Sequence, residues 1–199
     1  QLRKVKKLFI YLFLFILLGS INNISLNEIQ FDKIETINVS GLNENNNQKV
    51  LADIKKLNLE NIFFLNKNEI NRVLNSNTVI EDYEVFKKYP STLDVKLKET
   101  NFLAKINLDS QLFYIGSNGK LTKSFFLVQD LPYIFGNPDI NEFLIFKKIL
   151  DSSKISYENI KSLLFFQIKR WDIELKNNTL IKLPKNNVSK ALNNAYLFL

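Results

Sequence analysis

The chain has 199 residues, a formal charge of +7, and no Cys, His or Met. Without Cys it can form neither a disulfide framework nor a thiolate zinc site. Without His it lacks a Ser-His-Asp triad and the commonest metal ligand. Length alone allows one or two domains. The composition therefore argues against a metalloenzyme with Cys or His ligands and against a hydrolase with a Ser-His-Asp triad.

The positive charge is unevenly distributed along the chain. Residues 1–7 carry +4, residues 8–100 carry −2, and residues 101–199 carry +5. A basic chain is typical of nucleic-acid-binding proteins. Here, however, over half of the net charge directly precedes the uncharged apolar run LFIYLFLFILL at residues 8–18. That placement is typical of a signal that orients a membrane segment.

The apolar run predicts a transmembrane helix over residues 8–24, if Lys6 and Lys7 extend toward the headgroups. A basic start keeps residues 1–7 in the cytoplasm and places the rest of the chain outside it. A cleaved signal peptide has a similar pattern. We favour an uncleaved anchor because no clear cleavage site of small residues follows Gly19.

The first module after this segment spans residues 31–100, and its hydrophobic periodicity predicts the order strand, helix, helix, strand, strand. Glycine at position 41 ends the first strand, and Asn66 with Glu69 forms a capping-box pattern at the second helix. Pro90 marks the turn between the last two strands. The predicted elements lie at Ile34–Val39, Val50–Leu57, Ile70–Leu74, Val79–Lys88 and Leu93–Leu97.

The second module spans residues 101–199 and reads as a mixed β-sheet with flanking helices. Turn signals occur at residues 116–119, at Leu131-Pro132 and at residues 136–138. A helix is expected at the chain end and continues to Leu199, with no capping glycine after it. The other predicted elements are strands at Phe102–Ile106 and Leu112–Ile115, a helix at Ile140–Leu150 and a hairpin at Trp171–Leu183.

The hairpin register has two alternatives. A two-residue turn places Leu175 opposite Leu180 and sends Ile181 to the other face of the sheet. One extra loop residue or a bulge pairs Leu175 with Ile181 and Ile173 with Leu183. We favour the second register because it keeps the apolar side chains on one face.

The pattern IETINVSG at residues 34–41, the two helices and YPSTLDVKLKE at residues 89–99 resemble a POTRA domain. The continuation includes Ala104, the turn GSNG at residues 116–119, and RWDIELKNNTLIKLP at residues 170–184. With a basic tail and an apolar helix in front, the order of these motifs is similar to that of the FtsQ/DivIB family of bacterial cell-division proteins. The implied fold is α+β: a transmembrane helix, a POTRA domain of β-α-α-β-β order, and an FtsQ-type β domain.

The resemblance implies a divisome scaffold without enzymatic activity, in the inner membrane at the septum. Its partners would be FtsB and FtsL, bound in the periplasm, with no cofactor, metal, small-molecule substrate or nucleic acid. The family usually continues into a final strand that binds these partners, whereas this chain ends at Leu199. The exposed sheet edge is therefore expected at the Trp171–Leu183 hairpin, where a partner strand could be added.

Five residues are candidates for contact with a partner. Trp171 alternates in phase with Ile173 and Leu175, so packing in the core is the favoured role for it. Arg170 points to the opposite face and is better placed to meet a partner, with Lys182 adding positive charge. Leu192 and Tyr196 form an apolar stripe on the last helix, and covering the sheet's own core is the favoured role for that stripe.

Three other functions remain open at this stage. A POTRA-containing protein of an outer-membrane assembly or secretion system is the main alternative, although we see one such module and no barrel-like repeats. A wall hydrolase with paired carboxylates is conceivable, but the acidic residues lie on solvated strands such as Glu81–Glu84. A nucleic-acid binder is suggested by charge alone.

Overall fold

The computed structural model describes residues 2–21, 33–57, 59–123 and 130–199. Its first helix, α1, is Leu2–Ile21. Across the described residues, no helix combines the length and the apolar character needed to cross a membrane. The transmembrane helix predicted over residues 8–24 is therefore not confirmed, and residues 22–24 lie outside the described residues.

The N-terminal module contains a three-stranded sheet in the order β1-β3-β2, with β1 parallel and β2 antiparallel to β3. The predicted order of strand, helix, helix, strand, strand is confirmed. Leu93, Val95 and Leu97 point to one face of β3 and are buried, as their alternation predicts. The elements are β1 (Thr36–Ser40), α2 (Glu44–Lys55), α3 (Lys67–Ser76), β2 (Ile80–Lys88) and β3 (Thr92–Glu99).

Asparagine side chains begin both helices of this module. Asn43 Oδ1 accepts a hydrogen bond from the Asn46 amide at 3.0 Å, and Asn66 Oδ1 accepts one from the Asn68 amide at 3.1 Å. Glu69 accepts a hydrogen bond at 3.2 Å from the Asn66 side chain, whereas the predicted capping box has the acid accept from the backbone amide of the cap residue. The two asparagine Oδ1 bonds satisfy amides that have no partner within the helix. They fix where the two helices start over the sheet.

The C-terminal module contains a seven-stranded sheet in the order β10-β9-β8-β7-β4-β5-β6. The strand pairs β4–β7 and β7–β8 are parallel and the other pairs are antiparallel. Its strands are β4 (Phe102–Leu108), β5 (Gln111–Gly116), β6 (Leu121–Lys123), β7 (Tyr133–Phe135), β8 (Ile160–Phe166), β9 (Arg170–Leu175) and β10 (Leu180–Lys182). Its helices are α4 (Ile140–Asp151), α5 (Val188–Tyr196) and a short 3-10 helix at Tyr157–Asn159.

Both α-helices pack on the same face of this sheet. Phe143 and Leu150 from α4 and Leu192 from α5 are fully buried in one core with the inward residues of the strands. The prediction that the last helix reaches the chain end is wrong, because α5 ends at Tyr196. Gly136 has a φ of +92°, and a Cβ there would lie 2.3 Å from the Phe165 carbonyl oxygen, so β7 can approach β8 only with glycine at this turn.

The two modules are joined by hydrogen bonds at the end of the small sheet that lies near Thr100. The Glu81 carboxylate on β2 accepts bonds from the Ser117 hydroxyl at 2.7 Å and the Thr100 hydroxyl at 2.9 Å. Both donors lie in or next to the C-terminal module, and Ser117 belongs to the β5–β6 turn. One carboxylate therefore ties together the connection between the modules and the turn that faces it.

Asn118 in the same turn acts as an extra pairing partner for the N-terminal module. Its side-chain amide donates to the carbonyl oxygens of Thr78 and Ile80, both at 2.9 Å. The Lys120 ammonium donates to the Asn75 carbonyl oxygen at 2.7 Å, at the end of α3. The β5–β6 turn thus holds carbonyl groups that otherwise need water or another partner.

Candidate partner-binding edge

Strand β10 is the last strand of the large sheet, and none of the described residues forms a strand on its outer side. Ile181 lies opposite Ile173 of β9, Leu180 opposite Glu174, and Lys182 opposite Asp172. Ile181 is buried, whereas Leu180 and Lys182 are exposed. β10 is therefore a short edge strand with one inward side chain between two outward ones.

The turn between β9 and β10 determines which backbone groups point away from the sheet. The Leu175 amide donates to the Thr179 carbonyl oxygen at 2.9 Å. Hydrogen-bonded pairs alternate along an antiparallel ladder, so the next such pair is Ile173 with Ile181. The backbone N–H and C=O groups of Leu180 and Lys182 therefore point outward, toward any strand added at this edge.

The favoured register for this hairpin is wrong by two residues, and the two-residue turn is wrong as well. The loop has three residues, and its last, Asn178, has a left-handed φ of +63°. Its amide donates to the Leu175 carbonyl oxygen at 2.9 Å, which makes a turn followed by a left-handed residue. Asparagine tolerates this conformation. The predicted face is nevertheless correct, because Ile173 and Ile181 share the helix-covered side.

Trp171 lies in the core, as its alternation with Ile173 and Leu175 predicts. Its ring stacks on Phe146 of α4, with centroids 4.6 Å apart and an angle of 5° between the planes. Phe165 meets the same ring at 4.8 Å. Trp171 therefore holds α4 against the sheet, and it would affect a bound partner through the strand it supports.

Arg170 lies on the opposite, open face of β9. Its guanidinium lies over the Phe166 ring, 4.5 Å from the centroid, and Nη2 donates to Asp172 Oδ2 at 3.2 Å. The Arg170 Nε atom is buried and has no hydrogen-bond partner in the described part of the chain. Arg170 is therefore held in place by an aromatic ring and one carboxylate, with a donor to spare.

Asp172 is buried and organises the same face. Its Oδ1 accepts a hydrogen bond from the Leu183 amide at 3.2 Å, while Oδ2 accepts the bond from Arg170. Lys182 lies directly across from it on β10. The Asp172 carboxylate therefore binds the backbone amide that follows β10. It also places a negative charge between Arg170 and Lys182.

The second acidic residue of this face, Glu174, is also paired. The hydrogen bond from the Lys161 ammonium at 2.7 Å, with a second from the Ser162 hydroxyl at 2.6 Å, lowers the pKa of Glu174 below its ordinary value. Lys169, in the tight turn before β9, is bonded to Glu142 of α4, and this bond raises the pKa of Lys169. Both acidic residues of the open face of β9, Asp172 and Glu174, are thus paired with basic side chains.

The five candidate residues do not form one cluster. Arg170 and Lys182 share the open face of the sheet, whereas Trp171 and Leu192 are buried on the helix-covered face. Tyr196 lies on α5, half exposed, with the Lys154 ammonium 5.7 Å from its ring centroid. A contact of any of these residues with a partner stays a prediction.

The hydrogen bonds that Ser117 and Asn118 make between the two modules, and the outward backbone groups of Leu180, were not predicted from the sequence. A local signal existed for these hydrogen bonds only as a turn, because Ser117 and Asn118 reach residues nearly forty positions earlier in the chain. Among the residues that the structure describes, no group of acidic side chains is arranged to hold a metal ion.

The sequence profile of the FtsQ-type POTRA domain matches residues 32–100. These residues, which form the N-terminal module, are therefore a POTRA domain of the FtsQ type.

The curated relatives carry both names of the family. Cell division protein FtsQ of Rickettsia bellii (strain RML369-C) is 26% identical over 171 residues, which cover 80% of this chain and 60% of that protein. Cell division protein DivIB of Clostridium botulinum (strain Loch Maree / Type A3) is 31% identical over 120 residues, covering 60% of this chain and 45% of that protein. The chain thus spans about 60% of the length of the Rickettsia protein and about 45% of the length of the Clostridium protein.

A solved structure, the major extracytoplasmic domain of the trans isomer of DivIB from Geobacillus stearothermophilus, is 13% identical. The match covers 48% of this chain and 87% of that one, with a TM-score of 0.37. The profile and the named relatives confirm the resemblance to the FtsQ/DivIB family of cell-division proteins.

Proposed function

We propose that this protein is a non-enzymatic scaffold of the bacterial divisome that binds FtsB and FtsL. The similarity to proteins named for cell division supports a role in division. The partners and the absence of catalysis go beyond those names and are our proposal. Because the chain spans only part of its relatives' length, the proposal concerns the edge strand β10 and the open face of the sheet beside it.

The proposed mode of binding is addition of a partner strand to β10. The observation that carries it is the pair of outward backbone positions, Leu180 and Lys182, on an edge strand that is otherwise anchored by buried Ile181. An extended partner would gain main-chain hydrogen bonds there, and its alternate side chains would lie against the open face. An unprotected edge of this kind otherwise promotes aggregation.

Charge supports an acidic partner at this edge. The segment from residue 101 to residue 199 carries +5, and Lys182 is exposed at the edge itself. The carboxylates of the same face, Asp172 and Glu174, are already occupied by Arg170 and Lys161. The uncompensated charge is therefore positive, which would speed the approach of an acidic segment and fix its register.

The test is a Lys182→Pro variant of the full-length protein, with Lys182→Ala as its matched control. Both variants lose the lysine side chain and its charge, but only proline also removes the outward N–H, and it does so without removing a bond of the β9–β10 ladder. In a pull-down with FtsB and FtsL from the same organism, we expect a loss of at least about tenfold in affinity for proline, about 1.4 kcal/mol. For alanine we expect a smaller, salt-dependent loss.

Equal binding by both variants would show that the partner does not pair with β10. A loss of stability in Lys182→Pro without any loss of binding would show instead that a later strand of the full-length protein occupies this edge. Normal division in cells depleted of the protein would remove the proposed role altogether.

We also propose that residues 8–24 attach the chain to the inner membrane, with residues 1–7 in the cytoplasm and both modules, residues 31–100 and 101–199, in the periplasm at the septum. The large apolar side chains of α1 between Leu8 and Ile16 are exposed, which leaves them available to lipid. Carbonate extraction of membranes and protease digestion of spheroplasts test this topology. Release by carbonate, or protection of the modules in spheroplasts, would overturn it.

A further inference from the structure

Three exposed aromatic side chains lie together at one end of the POTRA domain. Phe63, Phe64 and Tyr89 are 50%, 74% and 62% exposed, and the rings of Phe63 and Tyr89 are 4.9 Å apart. We call these three residues the aromatic pole. Aromatic side chains of this size are normally buried in a soluble domain, so a group of three on the surface suggests a contact site.

The Asn61 side chain fixes the backbone of the two phenylalanines of the aromatic pole. The Asn61 side-chain oxygen accepts hydrogen bonds from the amides of Phe63, at 3.1 Å, and Phe64, at 3.0 Å. Asn61 itself pairs with Lys33 in a β-bridge. The two phenylalanines are therefore presented by a turn with its own hydrogen bonds.

The position of the aromatic pole relates it to the N-terminal helix. Strands β1 and β3 begin at this end of the small sheet and β2 ends there, while the C-terminal module joins the opposite end. The chain enters the domain beside the pole, at Lys33. Residues 22–32 connect the end of α1 to this point. Eleven residues reach at most about 40 Å, so this end of the domain is the one tethered within that distance of α1.

The charges around the aromatic pole are mixed. Lys33 lies near it through the bridge to Asn61, Glu60 and Lys67 lie within four residues of the phenylalanines, and Lys87 and Lys88 directly precede Tyr89. Lys88 is paired with Asp94. Such a surface does not select an anionic partner by charge. Phenyl rings with a tyrosine hydroxyl nearby, flanked by lysine stems, are instead typical of side chains that sit among lipid headgroups.

We propose that the aromatic pole rests on the headgroup layer of the membrane to which α1 attaches. This inference depends on the membrane attachment proposed above. Phe63 and Phe64 enter the interface and Tyr89 stays at its polar level. The contact holds the POTRA domain against the bilayer and points the C-terminal module, with its β10 edge, away from it.

The absence of Cys from the chain permits a direct test. A Phe64→Cys variant is labelled with an environment-sensitive fluorophore, and Phe135→Cys is the matched control. Phe135 is similarly exposed, at 51%, but lies on β7 of the other module. The full chain is reconstituted in phosphatidylcholine vesicles, flotation measures membrane attachment, and brominated lipids measure contact at the label.

We expect quenching of at least about twofold at position 64 and little at position 135, because bromine quenches only labels that reach the bilayer interface. Because the charges around the aromatic pole are mixed, we expect added phosphatidylglycerol or salt to change the quenching at position 64 only slightly. Flotation without quenching at position 64 would overturn the pole contact and leave the anchor intact. Failure to float would overturn both. Quenching that depends on the protein-to-lipid ratio would identify a second copy as the occupant and overturn the lipid contact.

Discussion

The two faces of strand β9 are stabilised by different interactions. On one face Trp171 and Ile173 are buried under α4 and α5 by apolar packing alone. On the other, Arg170, Asp172 and Glu174 are fixed by hydrogen bonds and ion pairs beside an open surface. The comparison shows how a single strand separates its two tasks: one face holds the module together, and the other remains available beside the free edge.

The largest expected effect is on the packed face. Trp171→Ala removes a ring that contacts Phe146 and Phe165, so we expect a loss of about 3–5 kcal/mol in the free energy of unfolding. Phe166→Ala is the control on the open face, where the ring is 37% exposed, and it should cost about 1 kcal/mol or less. Denaturant unfolding followed by circular dichroism measures both. Equal losses would contradict the division between the faces.

On the open face, Asp172 should matter most because it is buried. Asp172→Ala leaves the Leu183 amide without its acceptor and Arg170 without its counter-charge, which we expect to cost about 2–3 kcal/mol. Asp172→Asn keeps an oxygen for the Leu183 amide and should lose less. The fluorescence of Trp171, the single tryptophan, monitors unfolding in both variants. An alanine variant no weaker than the asparagine one would show that the Leu183 bond is unimportant.

The hydrogen bonds between the two modules are polar contacts like those on the open face of β9, but they link residues that are far apart in the chain. Asn118 and Asn177 each accept a hydrogen bond from the amide two residues later, at 3.0 Å, but only Asn118 reaches the other module. Asn118→Ala should therefore cost about 1–2 kcal/mol. It should also separate the unfolding of the C-terminal module, seen by Trp171 fluorescence, from that of the whole chain, seen by circular dichroism. Asn177→Ala should leave the two transitions as they are in the parent chain.

Much of the fold is predictable because it depends on local periodicity. The order of the POTRA elements follows from the spacing of residues such as Val50 and Ile54 and from the cap residue Asn66, whereas the cap at Asn43 was not predicted. The face of Trp171 follows from strict alternation. The register of the hairpin does not follow, because the left-handed residue Asn178 closes a three-residue loop that apolar spacing alone does not indicate.

Other features were not predictable because they depend on distant parts of the chain. Strand β8 carries four adjacent apolar residues, Leu163 to Phe166, although only Leu163 and Phe165 face the helices, so its sequence shows no simple alternation. Strand β7 has only three residues and forms through its neighbours. At the candidate site, the buried positions of Trp171 and Leu192 follow from their patterns, whereas the pairing of Arg170 with Asp172 needs the fold.

The smallest expected effect concerns the ion pair of Glu174, and it depends on pH. The Lys161 and Ser162 hydrogen bonds lower the pKa of Glu174 in the folded state, so the pair stabilises the fold above the ordinary glutamate pKa of about 4.3. This stabilisation is lost as the pH falls through the lower folded pKa, because the carboxylate is then protonated in both states.

Glu174→Gln should therefore lower the melting temperature slightly at pH 7, and the difference from the parent chain should shrink below about pH 4. Glu158→Gln, at an exposed position of the 3-10 helix, is the control and should show no such trend. Melting followed by Trp171 fluorescence between pH 7 and pH 3 measures the difference. Salt should reduce it, because the pair is accessible to solvent. A difference that grew as the pH fell would mean that the open face is stabilised by the protonated acid, and the contrast between the two faces of β9 would have to be redrawn.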